Sequence, residues 1–188
     1  MRGTPWSRRR GFRNPIGAVV TLLAIAVLVV IVALFLPPEP MLSGRATAVD
    51  GDTLRIGERR IRLLGLDAVE LDQTCTDQSA ASWPCGRDAR AFLAGLTKGE
   101  ATICASAGRD RYRRVLAHCS VRQADLGEQL VRAGWATADL EYGLALADAR
   151  FNGRGIWAGT FDDPAQWRRE HGADAFDLGS WLMGLLGR

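Results

Sequence analysis

Three patterns of apolar spacing divide this chain. From Ile16 to Leu36 there are 21 consecutive residues without a charge, a run that as an α-helix would measure about 31 Å, close to the hydrocarbon thickness of a bilayer. Further along, the pattern shortens to strand-length pieces. Arg45 to Val49, Leu54 to Ile56 and Arg60 to Leu66 are β-rich, and the turn formers Asp50-Gly51 and Gly57-Glu58 separate them. Ile61 and Leu63 alternate with Arg60 and Arg62, so a half-buried strand turns the apolar pair to the core and the arginines away from it. Thr102 to Ala105 and Val115 to Cys119 supply two more strands around GRDRYRR. The third pattern is helical. Ala89, Phe92, Leu93 and Leu96 share a face between 87 and 96. Leu126, Leu130, Val131 and Trp135 do so over 125 to 136, with Asp125 as N-cap, and a stretch from Tyr142 to Phe151 stops at Asn152-Gly153. Short strands, interspersed helices and no βαβ repeat predict an α+β domain: a small antiparallel barrel with helices packed on it.

Composition narrows the class. A chain of 188 residues with 47% apolar content allows one compact domain plus appendages. Arg2, Arg8, Arg9, Arg10 and Arg13 all precede the apolar run, and setting these five aside turns the formal charge of +3 into −2. The folded part therefore lacks the strong positive field of a structural nucleic-acid binder, and any such contact must be local, through a site and a bound metal. Arginines on the N-terminal side only keep that end in the cytoplasm and export the remainder. The apolar run exceeds the usual h-region of a cleaved signal, and LPPEPMLSG after it lacks a small-x-small cleavage site, which favours an uncleaved anchor. The expected protein is single-pass in a bacterial cell membrane, its domain periplasmic or extracellular. The expected organisation is a basic tail (1–15), a transmembrane helix (16–36), a stiff Pro-rich linker (37–43), the domain (44–160) and an extension (161–188). In the extension Leu178, Trp181, Leu182, Leu185 and Leu186 recur at helical spacing.

Export bears on the cysteines. Cys75, Cys85, Cys104 and Cys119 are an even set in an oxidising compartment, which suggests two disulfides drawn from three connectivities. Sequential pairing is the most economical, because Cys75 and Cys85 bracket one loop while Cys104 and Cys119 lie on the two arms of a hairpin. Each closed loop would stabilise by about 3 kcal/mol in the chain-entropy picture. Zinc is the rival use, but no pair shows the C-x₂₋₄-C spacing of common zinc sites.

Chemistry concentrates between residues 50 and 70, DGDTLRIGERRIRLLGLDAVE. Cutting a phosphodiester takes a divalent cation on hard oxygen ligands, a base to activate water, and cations to clamp the phosphate. Asp52 and Asp67 supply the first, Glu70 the second, and Arg62 with the later Arg114 the third. Histidine chemistry has little support, since His118 lies in an apolar strand and His171 in a polar tail.

Five blocks in order, VDGDT (49–53), RIRLLGLDAVE (60–70), DRYRRVLA (110–117), LVRAGWA (130–136) and GRGIW (153–157), resemble the staphylococcal nuclease family over roughly residues 44 to 160. The resemblance implies a five-stranded OB-type barrel with about three packed helices that hydrolyses DNA or RNA with Ca²⁺. It places Asp52 and Asp67 as calcium carboxylates and Ala68, where threonine is usual, as a backbone-carbonyl ligand. Asp50 and Thr53 stand behind these ligands. Glu70 becomes the general base, Arg62 and Arg114 the phosphate arginines, and Tyr112 a wall of the nucleotide pocket, with Arg113 able to add a phosphate contact. Two positions depart from the family pattern. Val69 replaces a proline before the base, so Glu70 is expected to be less stiffly held, and Arg113 replaces a frequent glycine, which demands a permissive backbone angle of a bulky residue. A non-catalytic relative that binds nucleic acid or protein would be marked by loss of Asp52, Glu70 or an arginine, and none is lost. A third possibility makes the C-terminal stripe the working part of an envelope anchor, against which that helix packs on its own domain. No protein partner is identifiable.

Overall fold

The computed structural model describes residues 15–35 and 41–171. The basic tail, the PPEP spacer and the stripe from Leu178 to Leu186 lie outside the described residues. The chain divides into two units, Met1–Pro38 and Glu39–Arg188. In the first, α1 runs from Pro15 to Phe35, 21 residues without an acidic first turn or a basic last turn. Side chains are described for 16–31 of it, and over such residues no helix is long and apolar enough to cross a membrane; the backbone of α1 continues past them.

The second unit begins with β1 (Met41–Ala48), so residues 41–43, assigned to the linker by their sequence, are strand. It continues through β2 (Thr53–Ile56), β3 (Arg59–Leu63), β4 (Leu66–Ala68), the short β5 (Cys75–Thr76) and β6 (Ser82–Trp83), and α2 (Cys85–Thr97). Then come β7 (Ala101–Arg109), β8 (Val115–Val121), β9 (Ala124–Asp125), α3 (Leu126–Arg132), β10 (Ala136–Ala138), α4 (Gly143–Phe151) and α5 (Pro164–His171). The order β3-β2-β1-β7-β8 closes on itself through a parallel pairing of β3 with β8, giving a five-stranded barrel. Alternation fills it: Ile61 and Leu63 from β3 and Val115, Ala117 and Cys119 from β8 point inward, with Leu54, Leu126 and Leu130 fully buried among them.

Helix α3 begins as its sequence predicts, with the Asp125 side chain accepting from the Glu128 amide at 2.8 Å. It ends earlier than the apolar face suggests. Trp135 N donates to Leu130 O and Gly134 N to Val131 O, a Schellman closure with Gly134 at φ 81° in the left-handed region. Residues 136–138 are thereby released to form β10, which pairs with β4 outside the barrel. The expected single strand from Arg60 to Leu66 likewise divides at Leu64-Gly65 into β3 and β4. Both disulfides follow the sequential pairing, Cys75–Cys85 and Cys104–Cys119, and the second joins residues directly opposite in the β7–β8 register. A second, smaller core forms around the first: Val69, Cys75, Cys85, Ala89 and Ile156, packed by Trp83, Trp135, Trp157 and Phe161.

Candidate active site

Strand register builds the floor of a cleft. Thr53 lies opposite Arg62 in the β2–β3 ladder, which sets Asp52 beside that arginine. Arg62 Nη1 sits 2.9 Å from Asp52 Oδ2, and Nη2 donates to Asp67 Oδ1 at 2.6 Å. Two carboxylates from separate turns therefore share one guanidinium. Asp52 is 4% exposed and also accepts from Thr53 Oγ1 at 3.0 Å and from the Ala68 amide at 3.4 Å, while Asp50 Oδ1 accepts from the Asp52 amide at 3.0 Å. Burial pushes the Asp52 carboxyl up to about 7; Arg62 opposes this, and Asp50 and Asp67 add to it. Burial pulls the Arg62 guanidinium the other way, but Asp52 and Asp67 more than offset it and hold it above its ordinary value.

Glu70 stands on a braced wall. Its amide donates to Gln73 Oε1 at 3.0 Å, its carbonyl accepts from Gln73 N at 2.9 Å, and Val69 is buried at 1% exposure in the second core. Gly86, at the start of α2, backs onto it so closely that a Cβ there would stand 1.7 Å from the Glu70 carbonyl oxygen. Where the family pattern has a proline, Val69 packs into the second core and the Gln73 side chain binds the Glu70 amide.

The register of β3 against β8 carries Arg114 to the same place, since Ile61 lies opposite Val115, the residue after it. Asp110 organises this opposite wall. Its Oδ1 accepts from the amides of Tyr112 and Arg114, each at 2.9 Å, and its Oδ2 from Arg114 Nε at 2.7 Å. Against a burial cost, these bonds hold Asp110 below the usual carboxylate range. Tyr112 is 57% exposed, with the Arg111 and Arg114 guanidinium carbons 4.8 and 5.6 Å from its ring centroid. Arg113 adopts φ 64°, as its replacement of glycine demanded, and it does not line the cleft. The cleft itself encloses about 660 Å³ and is lined by Asp52, Arg62, Glu70, Tyr112 and Arg114 among others.

Several residues lining the cleft were not anticipated, among them Arg111, Arg168 and Arg169. Arg168 on α5 places Nη1 3.0 Å from Asp67 Oδ1 and 2.7 Å from Glu70 Oε1, and Nη2 2.7 Å from Asp67 Oδ2. Hydrogen bonding to Asp67 leads the effects that hold its guanidinium well above the ordinary value. The only signal in the sequence was a short helix-forming stretch, DDPAQWRRE, with two adjacent arginines. Helix α5 thus borders the cleft through Ala165, Arg168 and Arg169, although in sequence it lies past the expected domain boundary. The histidines stay apart: His118 contacts Tyr142 and Glu141, and His171 stacks on Trp167 at 3.8 Å.

Among the described residues no group of three or more His, Cys, Asp or Glu side chains forms a ready metal cage. The donor set still fits a hard cation. Its ligating atoms would all be oxygens, and the buried Asp52 and the half-buried Asp67 already converge on a shared positive group, Arg62.

The family described as staphylococcal nuclease homologue matches residues 60–159, more than half of the chain. The chain belongs to that family. Among relatives of this staphylococcal nuclease homologue, a succinoglycan biosynthesis protein, ExoI, of Rhizobium meliloti is 36% identical over 126 residues, covering 63% of this chain and 65% of that protein. An uncharacterized endonuclease of Haemophilus influenzae is 30% identical over 141 residues, covering 68% and 74% respectively. A probable endonuclease, LCL3, of Schizophyllum commune is 27% identical over 143 residues, covering 63% and 47%. The chain therefore spans just under two thirds of the first of these and about half of the third.

Proposed function

We propose that this staphylococcal nuclease homologue is a calcium-dependent phosphodiester hydrolase acting on DNA or RNA, held at the outer side of a bacterial membrane by α1. The observation that carries the reading is that Asp52 and Asp67, from separate turns, both pair with the Arg62 guanidinium beside a cleft that also exposes Glu70, Arg114 and Tyr112.

Calcium, when bound by Asp52, Asp67 and the Ala68 carbonyl, would lower the negative charge that an attacking water meets at the phosphate. Glu70 takes the proton of that water, from a loop whose backbone is held by Gln73 and by the close approach of Gly86. Arg114 spends only its Nε on Asp110; among the described residues no acceptor meets its terminal nitrogens, which are free to donate to phosphate oxygens. Arg62, if a bound cation took over the neutralising of Asp52 and Asp67, would have guanidinium donors to offer a phosphate oxygen. Tyr112 offers an exposed ring for a base to stack on. The membrane assignment rests on the 21-residue length of α1 and the five arginines before it.

The test is cleavage of heat-denatured DNA by the full chain in detergent with its disulfides formed. Cleavage should require calcium, stop with EGTA, and fall about 10²- to 10⁴-fold in Glu70→Gln. Unchanged cleavage in that variant removes the base assignment. A second reading, a binding module without turnover, draws on the occupation of Asp67 and Glu70 by Arg168, and it gains if DNA binds but no condition yields cleavage. Protease added to intact spheroplasts should degrade the domain if it is exported.

A further inference from the structure

We propose that Arg168 is a positioning residue of this site: from α5 it holds Glu70 and Asp67 in one fixed relation, and the buried Gln73 fastens α5 to the loop that carries Glu70. The inference rests on the reading of Glu70 as the base.

Three contacts from one guanidinium define the relation. Arg168 Nη1 bridges Asp67 Oδ1 and Glu70 Oε1, and Nη2 closes the fork on Asp67 Oδ2. A planar fork can do this and an ammonium cannot, since lysine is a point charge without two parallel donors. Glu70 would otherwise sample several rotamers at the cleft mouth; the bridge ties one of its oxygens and leaves the other for a water. The helix bearing Arg168 is fixed independently. Gln73 is fully buried and both ends of its amide are used: Oε1 accepts from the Glu70 amide at 3.0 Å, and Nε2 donates to the Asp162 carbonyl at 2.7 Å, two residues ahead of α5. A buried amide satisfied at both ends links two segments rather than merely filling space. Pro164 at the start of α5 is buried, and Asp163 Oδ1 caps the helix by accepting from Ala165 N at 2.9 Å and Gln166 N at 3.2 Å. The chain thus supplies the base, the tie to its backbone, the helix and the guanidinium as one connected unit.

The experiment compares the full-length wild type with Arg168→Ala, Arg168→Lys, Gln73→Met and Glu70→Gln, measuring kcat and KM on denatured DNA with calcium, and amide hydrogen exchange without it. Arg168→Ala should lower kcat about 10- to 100-fold, the scale on which small misplacements of a reacting group act, with KM within about threefold. Arg168→Lys, which keeps the charge without the fork, should fall between it and wild type. Amides of Glu70, Gln73 and residues 165–171 should exchange at least tenfold faster in Arg168→Ala, and those of α5 also in Gln73→Met. A KM increase with kcat unchanged would make Arg168 a phosphate contact and overturn the proposal. Unchanged kcat, or unchanged exchange in both segments, would reduce it to a passive counter-charge and overturn it as well. Failure of the underlying reading looks different: Glu70→Gln would then match wild type, or nothing would cleave, while exchange in Arg168→Ala still decides whether the tie exists.

Discussion

The two walls of the cleft hold an acid and an arginine together in opposite ways. On the Glu70 wall the pairs are long-range and partly buried: Arg62 reaches Asp52 across a hairpin, and Arg168 reaches Asp67 from 101 residues away. Beneath them lie the second core, the Cys75–Cys85 bond and the Gln73 amide. On the Tyr112 wall the pair is local. Asp110 and Arg114 are four residues apart, and the loop is held by its own turn bonds with an exposed ring at its tip. The Glu70 wall is built to fix atoms in place, which the proposed proton transfer and metal ligation would require. The Tyr112 wall presents charge and an aromatic face, and for the proposed substrate, which varies along its length, adaptability there would cost little.

The largest effect should separate the two arginine partners. Arg62→Ala leaves Asp52 buried without its counter-charge, a change of the kind that costs about 3 kcal/mol, read as a lowered urea midpoint in calcium-free buffer with the disulfides intact. Arg114→Ala breaks a local i,i+4 pair whose Asp110 keeps two backbone amide donors, and it should cost about 1 kcal/mol or less. Equal losses would break the contrast between the walls.

Next come the disulfides. Replacing Cys75 and Cys85 together by serine, or Cys104 and Cys119 together, should each remove about 3 kcal/mol, since the closed loops are of similar length, 10 and 15 residues. Activity should distinguish them. Loss of Cys75–Cys85 loosens the core under Val69 and should lower kcat, whereas loss of Cys104–Cys119, inside the barrel, should lower the melting temperature while leaving kcat within about twofold at a temperature where both variants are folded. Gly86→Ala follows, at about 2 kcal/mol. Its Cβ would meet the Glu70 carbonyl, a backbone atom that can yield only by moving the loop, so kcat should fall more than the stability loss suggests.

The same contrast explains what could be read in the chain beforehand. Local features were legible. Asp125 as N-cap, the alternation of Ile61 and Leu63 and the sequential disulfides each depend on residues close in sequence or on simple loop closure. The chemistry of residues 50–70, and then the resemblance in block order, pointed to Asp52, Asp67, Glu70, Arg62 and Arg114; the last reaches the cleft because β3 and β8 pair in parallel to close the barrel. Features that depend on how a helix returns were not legible. Arg168 sits in a short polar helix whose partners are fixed by a buried Gln73 and the carbonyl of Asp162, and no spacing rule connects such positions. The end of α3 was missed for another reason: the apolar face continues through Trp135, while Gly134 reverses the backbone one residue earlier.

The smallest predicted effect lies on the Tyr112 wall. Arg113 holds φ 64°, a left-handed angle that costs a side-chain-bearing residue about 1 to 2 kcal/mol. It is kept there because its amide donates to the Asp110 carbonyl at 3.0 Å and the next amide to the Asp110 side chain at 2.9 Å, so the turn that aims Arg114 cannot form without it. Glycine accepts that angle freely but has more freedom to lose on folding, which takes back about half of the gain. Arg113→Gly should therefore stabilise by about 0.5 to 1 kcal/mol, a rise of a few degrees in melting temperature for a domain of this size. Because Arg113 does not line the cleft, KM for DNA should change by less than about twofold. A larger rise in KM would show that this arginine reaches phosphate after all, and that the adaptable wall carries more of the substrate than its exposed tip.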